Sequence, residues 1–325
     1  MRHESRLSIP FSLIVILIIA VQASPLPEPM ASWTETTKQQ QRDAGTAMIA
    51  SLQSQIASGV SPILIPTGDY RFNQLITSSG AATHILLTGF EDTVIDFQGS
   101  TLWFENARSA FKFAGLKNCT IRNVTLDWDP LCYIQGVVKA LDIPNQKVLI
   151  QLDAGYDEVP PEMQNGGKWR GCVFDAVTLE MKQGTRGYSL NFDWNNTDSN
   201  GWYIAGYSGF YGHNLSESGI AVSDPIAIFP RIGRAVRVEN CDDNTLENFT
   251  LYASPFVGFA HNYGAGKAVY RNCRILRRPG TNRLMGGNAD GINCANLNEG
   301  PLIEDCQIEY IGDDFVNVHT PYSRL

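Results

Sequence analysis

The chain has 325 residues, 43% of them hydrophobic and 18% charged, with a formal net charge of −8. That length can bury a sizeable core in one or two domains, and 10% aromatic residues exclude a disordered polyelectrolyte. The acidic balance excludes a nucleic-acid partner; a local basic run at Arg274, Arg277 and Arg278 reads as a solvated loop face, with an acidic sugar as the alternative contact.

Residues 1–23 read as a signal peptide. Arg2 and Arg6 form a basic start, Phe11 to Val21 is apolar but too short to favour a membrane span, and Val21-Gln22-Ala23 suits cleavage. The expected product is secreted, extracellular, monomeric and free of the membrane; an uncleaved signal anchor is the alternative. Five Asn-x-Ser/Thr sequons follow, at Asn118, Asn123, Asn195, Asn214 and Asn248, consistent with a glycoprotein. Seven cysteines leave at least one thiol unpaired.

Residues 24–130 read as an N-terminal cap followed by the first coils of a repeat structure. A helix is expected from about Trp33 to Ser58, with Met48, Ile49, Leu52 and Ile56 on one face and Gly59 as its stop. Ile63 to Phe72 then reads as strand, turn and strand. A six-residue phrase (apolar, any, Asn or Asp, apolar or Cys, any, apolar) occurs at 116–121, 121–126, 246–251, 270–275 and 303–308, and begins again at Val238-Glu239-Asn240-Cys241. Short alternating pieces separated by Gly, Asn and Asp are strands between turns, and no long helical pattern lies between them. Each coil cannot bury its apolar side alone, whereas a stack of coils can. The fold expected is therefore all-β: a right-handed parallel β-helix with a capping helix. The repeated Asn belongs at a left-handed bend, one above the next, and Cys119, Cys273 and Cys306 read as small core residues rather than disulfide partners.

The repeat breaks over residues 131–230, read as an inserted β-rich subdomain. Val137–Leu141 and Lys147–Leu152 form an expected hairpin across Pro144-Asn145. Ten aromatics lie between Trp169 and Tyr211, read first as the subdomain's core and alternatively as sugar-stacking rings beside a cleft. Residues 231–325 resume the coils. Few coils and no C-terminal plug follow the richest motif, as in a truncated product or fragment.

That motif is Asn288-Ala289-Asp290-Gly291-Ile292, followed by Gly312-Asp313-Asp314-Phe315-Val316-Asn317-Val318-His319. Asp290 and Asp314 are separated by about one coil, so stacking at roughly 4.8 Å sets one carboxylate above the other. Asp313 joins them if the backbone bends. Crowded carboxylates favour one remaining protonated, and glycoside hydrolysis needs such a pairing of a proton donor with a water-activating carboxylate. The competing explanation is ordinary turn chemistry, since Asp-Gly and Gly-Asp pairs form turns and the Asp242-Asp243 doublet has no such context.

The segment resembles the polygalacturonases of glycoside hydrolase family 28, which carry Asn-Thr-Asp-Gly and then Gly-Asp-Asp one coil on; Asp290, Asp313 and Asp314 match those acids. Asp313-Asp314 followed by Asn317-Val318-His319 resembles the α-1,3-galactosidases of glycoside hydrolase family 110, as does Asp127-Trp128-Asp129-Pro130 with Gln135-Gly136 and a β-insertion. The resemblance covers roughly 60–130 and 235–320. The Gly-His-Gly and Arg-Ile-Lys elements of polygalacturonases are absent. It implies an inverting hydrolase acting on a galactoside or pectic polymer, with Asp313 as general acid and Asp290 with Asp314 as bases, labels that chemistry allows to be exchanged. Asn288, Asn317, His319, His261, Asp127 and Asp129 are candidate substrate-binding residues. No Cys/His spacing suggests zinc, and no cofactor is expected. The alternatives are a Ca²⁺-dependent polysaccharide lyase with Lys267 or Arg271 as base, and a non-catalytic glycan-binding β-helix or inactive fragment.

Overall fold

The computed structural model describes residues 33–78 and 80–320, so the expected signal peptide at 1–23 lies outside the described residues. Helix α1 (Glu35–Ala57) begins where the Thr34 hydroxyl accepts from the Thr37 amide. It ends at Ser58, and Gly59 takes a positive φ. Met48 and Leu52 are buried in the main core, with Ile49 and Ile56 packed at its margin. Strands β1 (Ile63–Leu64), β2 (Asp69–Phe72), β3 (Ile76–Ser78) and β4 (Ala81–Thr88) follow. Gly45 lets α1 close on β2, because a Cβ there would meet the Arg71 carbonyl oxygen at 2.5 Å. Among the described residues no helix is long and apolar enough to cross a membrane.

From β5 (Val94–Phe104) onward the chain alternates between two parallel sheets. It passes to β6 (Ser109–Ala114), back to β7 (Thr120–Trp128), then leaves for the insertion. The insertion comprises β8 (Ile134–Asp142), β9 (Lys147–Leu152), β10 (Gly167–Val173), β11 (Tyr188–Phe192), β12 (Tyr203–Gly209) and β13 (Pro225–Phe229). It is a closed antiparallel barrel in the order β10-β11-β12-β9-β8-β13. The expected hairpin is present as β8 and β9; closure of six strands was not legible, because it depends on which distant edges meet. Trp169, Tyr188 and Phe192 are buried in it, with Trp169 stacked on Phe192 at 5.3 Å, so these aromatics are core.

Alternation resumes with β14 (Arg234–Glu239), β15 (Thr245–Tyr252), β16 (Val257–Gly264), β17 (Val269–Arg271), β18 (Arg274–Leu276), β19 (Ile292–Leu297), β20 (Leu302–Glu304), β21 (Gln307–Ile308) and β22 (Val316–His319). One sheet has nine strands, with the path β1-β5-β7-β15-β17-β20 and with β2, β18 and β21 beside it. The other has seven, β22-β19-β16-β14-β6-β4-β3, all parallel except β3 on β4. Phe111, Val236, Phe259 and Ile292 from the seven-stranded sheet share one continuous core with Ile121, Leu246 and Ile275 from the nine-stranded sheet. Each layer covers the next, which is how short strands acquire a buried interior.

The repeated Asn or Asp adopts positive φ at every copy: Asn118, Asn123, Asn240, Asn248, Asn272 and Asp305. Three of them form a ladder down the nine-stranded sheet. Asn272 Nδ2 donates to Asn248 Oδ1 at 2.6 Å, Asn248 Nδ2 to Asn123 Oδ1 at 2.8 Å, and Asn123 Nδ2 to Asp96 Oδ1 at 2.8 Å. All seven cysteines are free, with Cys119 and Cys273 buried in the core.

Candidate functional site

The parallel pairing of β19 with β22 matches Ile292 to Val316 and Asn293 to Asn317. The same offset holds one turn earlier, where Gly287 bridges Ile311 and the Gly291 amide donates to the Asp314 carbonyl at 2.9 Å. Asp290 therefore stands in register with Asp314. Their side chains share one donor: Asn317 Nδ2 lies 3.4 Å from Asp290 Oδ2 and 3.2 Å from Asp314 Oδ2. A shared donor at these two lengths holds the two carboxylates close together on one face of the sheet. Asn293 Nδ2 donates to the same Asp290 oxygen at 2.7 Å.

Asp313 turns to a different partner. Its carboxylate meets the Arg231 guanidinium at 2.7 Å, and the same nitrogen donates to the Gly312 carbonyl at 3.0 Å. Arg231 lies two residues past the barrel's last strand, so this contact joins the insertion to the parallel sheets. Asp313 opens on a cleft of about 420 Å³ also lined by Arg170, Arg186, Tyr188, Phe210 and Phe229. Arg170 stacks over the Phe210 ring at 3.9 Å. Asp290 is 8% exposed, whereas Asp313 and Asp314 are exposed.

The motif glycines sit where the backbone of one strand lies directly on the next. A Cβ on Gly291 would meet the Phe315 carbonyl at 2.6 Å, and one on Gly312 would meet the Asn288 carbonyl at 2.7 Å and the Phe229 ring at 2.8 Å. They allow close stacking of backbone on backbone.

The other candidates separate. Asn317 belongs to the acidic cluster. His319 lies in β22 opposite Ala295, exposed, and strand alternation puts it on the face of Asn317. Asn288 is fully buried, and its Nδ2 faces the carbonyls of Cys132, Pro255 and Pro230 at 2.8, 3.2 and 3.4 Å. It ties both ends of the insertion to the loop that carries Asp290. His261 pairs laterally with Cys294 and is 2% exposed in the interior, with the Tyr270 hydroxyl 3.3 Å from Nδ1; burial pushes its pKa down to about 4. It is a core residue.

Asp127 is also fully buried. Arg283 and the Trp128 amide each reach Oδ1 at 2.8 Å, and Arg278 reaches Oδ2 at 2.6 Å. Asp129 pairs with Arg71 at 2.8 Å and Lys38 at 3.1 Å, fastening α1 to the first coils. Both are structural anchors. Asp127 nevertheless matters to the site, because Arg278 and Arg283 belong to the loop that delivers Asp290. Gln135 grips the same loop, accepting from the Leu284 amide at 2.9 Å and donating to the Asn282 carbonyl at 3.0 Å. The lyase candidate Arg271 lies in the nine-stranded sheet, paired with Glu304 at 3.0 Å, and Lys267 directly precedes its strand; neither shares the acids' sheet.

Arg231 and Asn293 were missed from sequence. The offset that stacks Asp290 under Asp314 also stacks Asn293 under Asn317, a usable signal. Nothing local marks Arg231, whose partners lie more than 80 positions away. Among the described residues, no group of three His, Cys, Asp or Glu could hold a metal ion.

No family model matches the chain. It is similar to Alpha-1,3-galactosidase B of Bacteroides thetaiotaomicron, 20% identical over 263 residues, covering 74% of this chain and 40% of that protein. It is also similar to Alpha-1,3-galactosidase A of Shewanella woodyi, 21% identical over 258 residues with the same coverage, 74% and 40%. The relationship is distant and is to glycoside hydrolases. The chain spans about 40% of the length of these curated relatives.

Proposed function

We propose that the chain hydrolyses α-linked galactosides, with α-1,3 linkages as the first candidates, by inversion at Asp290, Asp313 and Asp314. The carrying observation is the single Asn317 amide that joins Asp290 to Asp314 while Asp313 opens on the adjoining cleft. The three acids divide two roles, one donating the proton to the leaving oxygen and another activating the water. The alternating parallel sheets are the two walls of a right-handed parallel β-helix, with α1 closing its first coil. The protein is secreted as a monomer after cleavage behind Ala23, and its substrate is an oligo- or polysaccharide.

The test is release of galactose from α-1,3-galactobiose, with the product anomer followed by NMR. Asp290→Asn and Asp313→Asn should each reduce the rate by about 10²–10⁴ with circular dichroism unchanged, and β-galactose should appear first. Unreduced turnover in both variants would remove the acids from the reaction.

A further inference from the structure

The acid-bearing cleft has a neighbour. On the other side of Arg231 a second cleft of about 470 Å³ is lined by Arg108, Arg231, Arg234, Arg237, Ser109 and Phe256 among others. Arg231 belongs to the walls of both clefts. Together the two walls hold six arginines, at 108, 170, 186, 231, 234 and 237, and one carboxylate, Asp313. In a chain of net charge −8, that is a local reversal of sign.

The arrangement follows from strand register. Arg234 pairs with Val257, and the offset that matches Phe259 to Ile292 carries Val257 to Asp290; the Gly258 amide indeed donates to the Asp290 carbonyl at 2.9 Å. Arg234 thus stands in line with Asp290 and Asp314, two and three strands away, or roughly 10 and 14 Å at the usual strand spacing. Arg108 directly precedes β6, the next strand beyond β14. One edge of the seven-stranded sheet therefore runs from cations to acids.

Part of this charge is already matched. Arg231 pairs with Asp313 and Arg237 with Glu239, whereas Arg170 lies on the uncharged Phe210 ring. Among the described residues Arg108 and Arg234 have no side-chain hydrogen bond or ion pair, and the Nε groups of Arg231 and Arg237 are buried without a partner. Burial, and then the neighbouring charge of Arg237, lower the Arg234 pKa. Gathering guanidinium groups in this way is unfavourable without an anion, and their planar forks match carboxylate and sulfate oxygens.

We infer that this second cleft is an anion subsite, and that the preferred substrate is a glycan bearing a carboxylate or sulfate group a few sugar units from the bond at Asp290, Asp313 and Asp314. This rests on the hydrolase reading for its orientation, but the subsite binds whether or not the bond is cut. Arg108 and Arg234 hold the anion, and Arg231 separates it from the acids.

Binding tests it independently of turnover. The Asp290→Asn protein is run in affinity electrophoresis against polygalacturonate, a sulfated galactan and a neutral galactan, at low and high salt. The expected result is at least tenfold tighter binding to one anionic polymer than to the neutral one, weakened by salt. Adding Arg108→Gln and Arg234→Gln should remove that advantage and leave neutral binding unchanged, whereas Lys117→Gln on an exposed surface elsewhere should have little effect. The arm that binds identifies the anion as carboxylate or sulfate. Equal affinity for all three polymers, an unaffected double variant, or an equal loss with Lys117→Gln overturns the subsite. Loss of hydrolysis with binding intact would count against the catalytic reading alone.

Discussion

Arg231 grips Asp313 at 2.7 Å, and it reaches that carboxylate from the exit of the barrel, so the insertion contributes directly to the geometry of the acidic cluster. Both side chains are partly solvent-exposed, and such pairs add only about 0.2–1 kcal/mol to stability. Their value is positional. Arg231→Ala should lower kcat/KM on α-1,3-galactobiose by about 10²-fold, since small misplacements of a reacting group carry costs of that size. Its melting temperature should change little. Arg231→Lys, which lacks the planar fork, should recover only part of the activity. Wild-type kinetics in Arg231→Ala would show that Asp313 needs no orientation from the insertion.

Asp127 presents the opposite balance. It is a fully buried acid between two arginines, and removing one partner of such a group typically costs about 3–5 kcal/mol because the remaining charges stay buried. Asp127→Asn should therefore lower the urea midpoint strongly. Activity measured well below that midpoint should also fall, because the 277–291 loop that carries Asp290 loses its tether. A variant with normal stability and a raised KM alone would instead make Asp127 a ligand contact.

The short strands, their bends and the pairing of 290 with 314 were legible because each is periodic: apolar alternation, an Asn or Asp at every bend, and a constant offset that sets 290 beside 314. Burial of Asn288, Asp127, Asp129 and His261 was not legible. Asn288, Asp127 and Asp129 have partners far away in sequence, as when Asn288 contacts Cys132 or Asp127 contacts Arg283, and His261 is covered by packing between neighbouring strands. A polar side chain in a site-like motif carries the same local signal whether it faces solvent or satisfies buried donors. Asp127 makes the point most clearly: read as a candidate substrate contact, it binds Arg278 and Arg283 of the loop that carries Asp290.

Two imidazoles give the fold a defined acid sensitivity. Burial lowers the pKa of both His84 and His261 to about 4, from an ordinary 6.5. The unfolded chain therefore binds protons that the folded one refuses. The contribution of these two groups is full above pH 6.5, is lost as pH drops from there towards 4, and is gone below, about 3 kcal/mol for each group. Urea unfolding across that window should follow this slope, and His261→Phe should flatten it by roughly half. An unchanged slope in that variant would mean that His261 is protonated in the folded state.

The asparagine ladder makes two separable predictions at Asn248. Its amide donates to Asn123 and its carbonyl oxygen accepts from Asn272, and its φ is positive. Asn248→Gly keeps the left-handed bend accessible but removes two hydrogen bonds, leaving Asn123 and Asn272 short of partners, at about 1–3 kcal/mol. Asn248→Ala loses the same bonds and adds left-handed strain of about 1–2 kcal/mol, so it should be the weaker protein in urea. Equal stability of the two would place the bend's cost in the ladder alone. The same bonds discriminate among the five sequons, since a glycan attaches through Nδ2. That atom is engaged at Asn118, by Asp92 at 2.6 Å, and at Asn123 and Asn248. Asn195 and Asn214 are exposed on the insertion, where the Glu217 amide donates to the Asn214 backbone carbonyl at 2.9 Å. Peptide mass spectrometry of folded protein from a eukaryotic secretory host should find glycan at Asn195 and Asn214 and none at Asn123 or Asn248. Occupancy at Asn248 in soluble, folded material would mean that the ladder opens without loss of the coil.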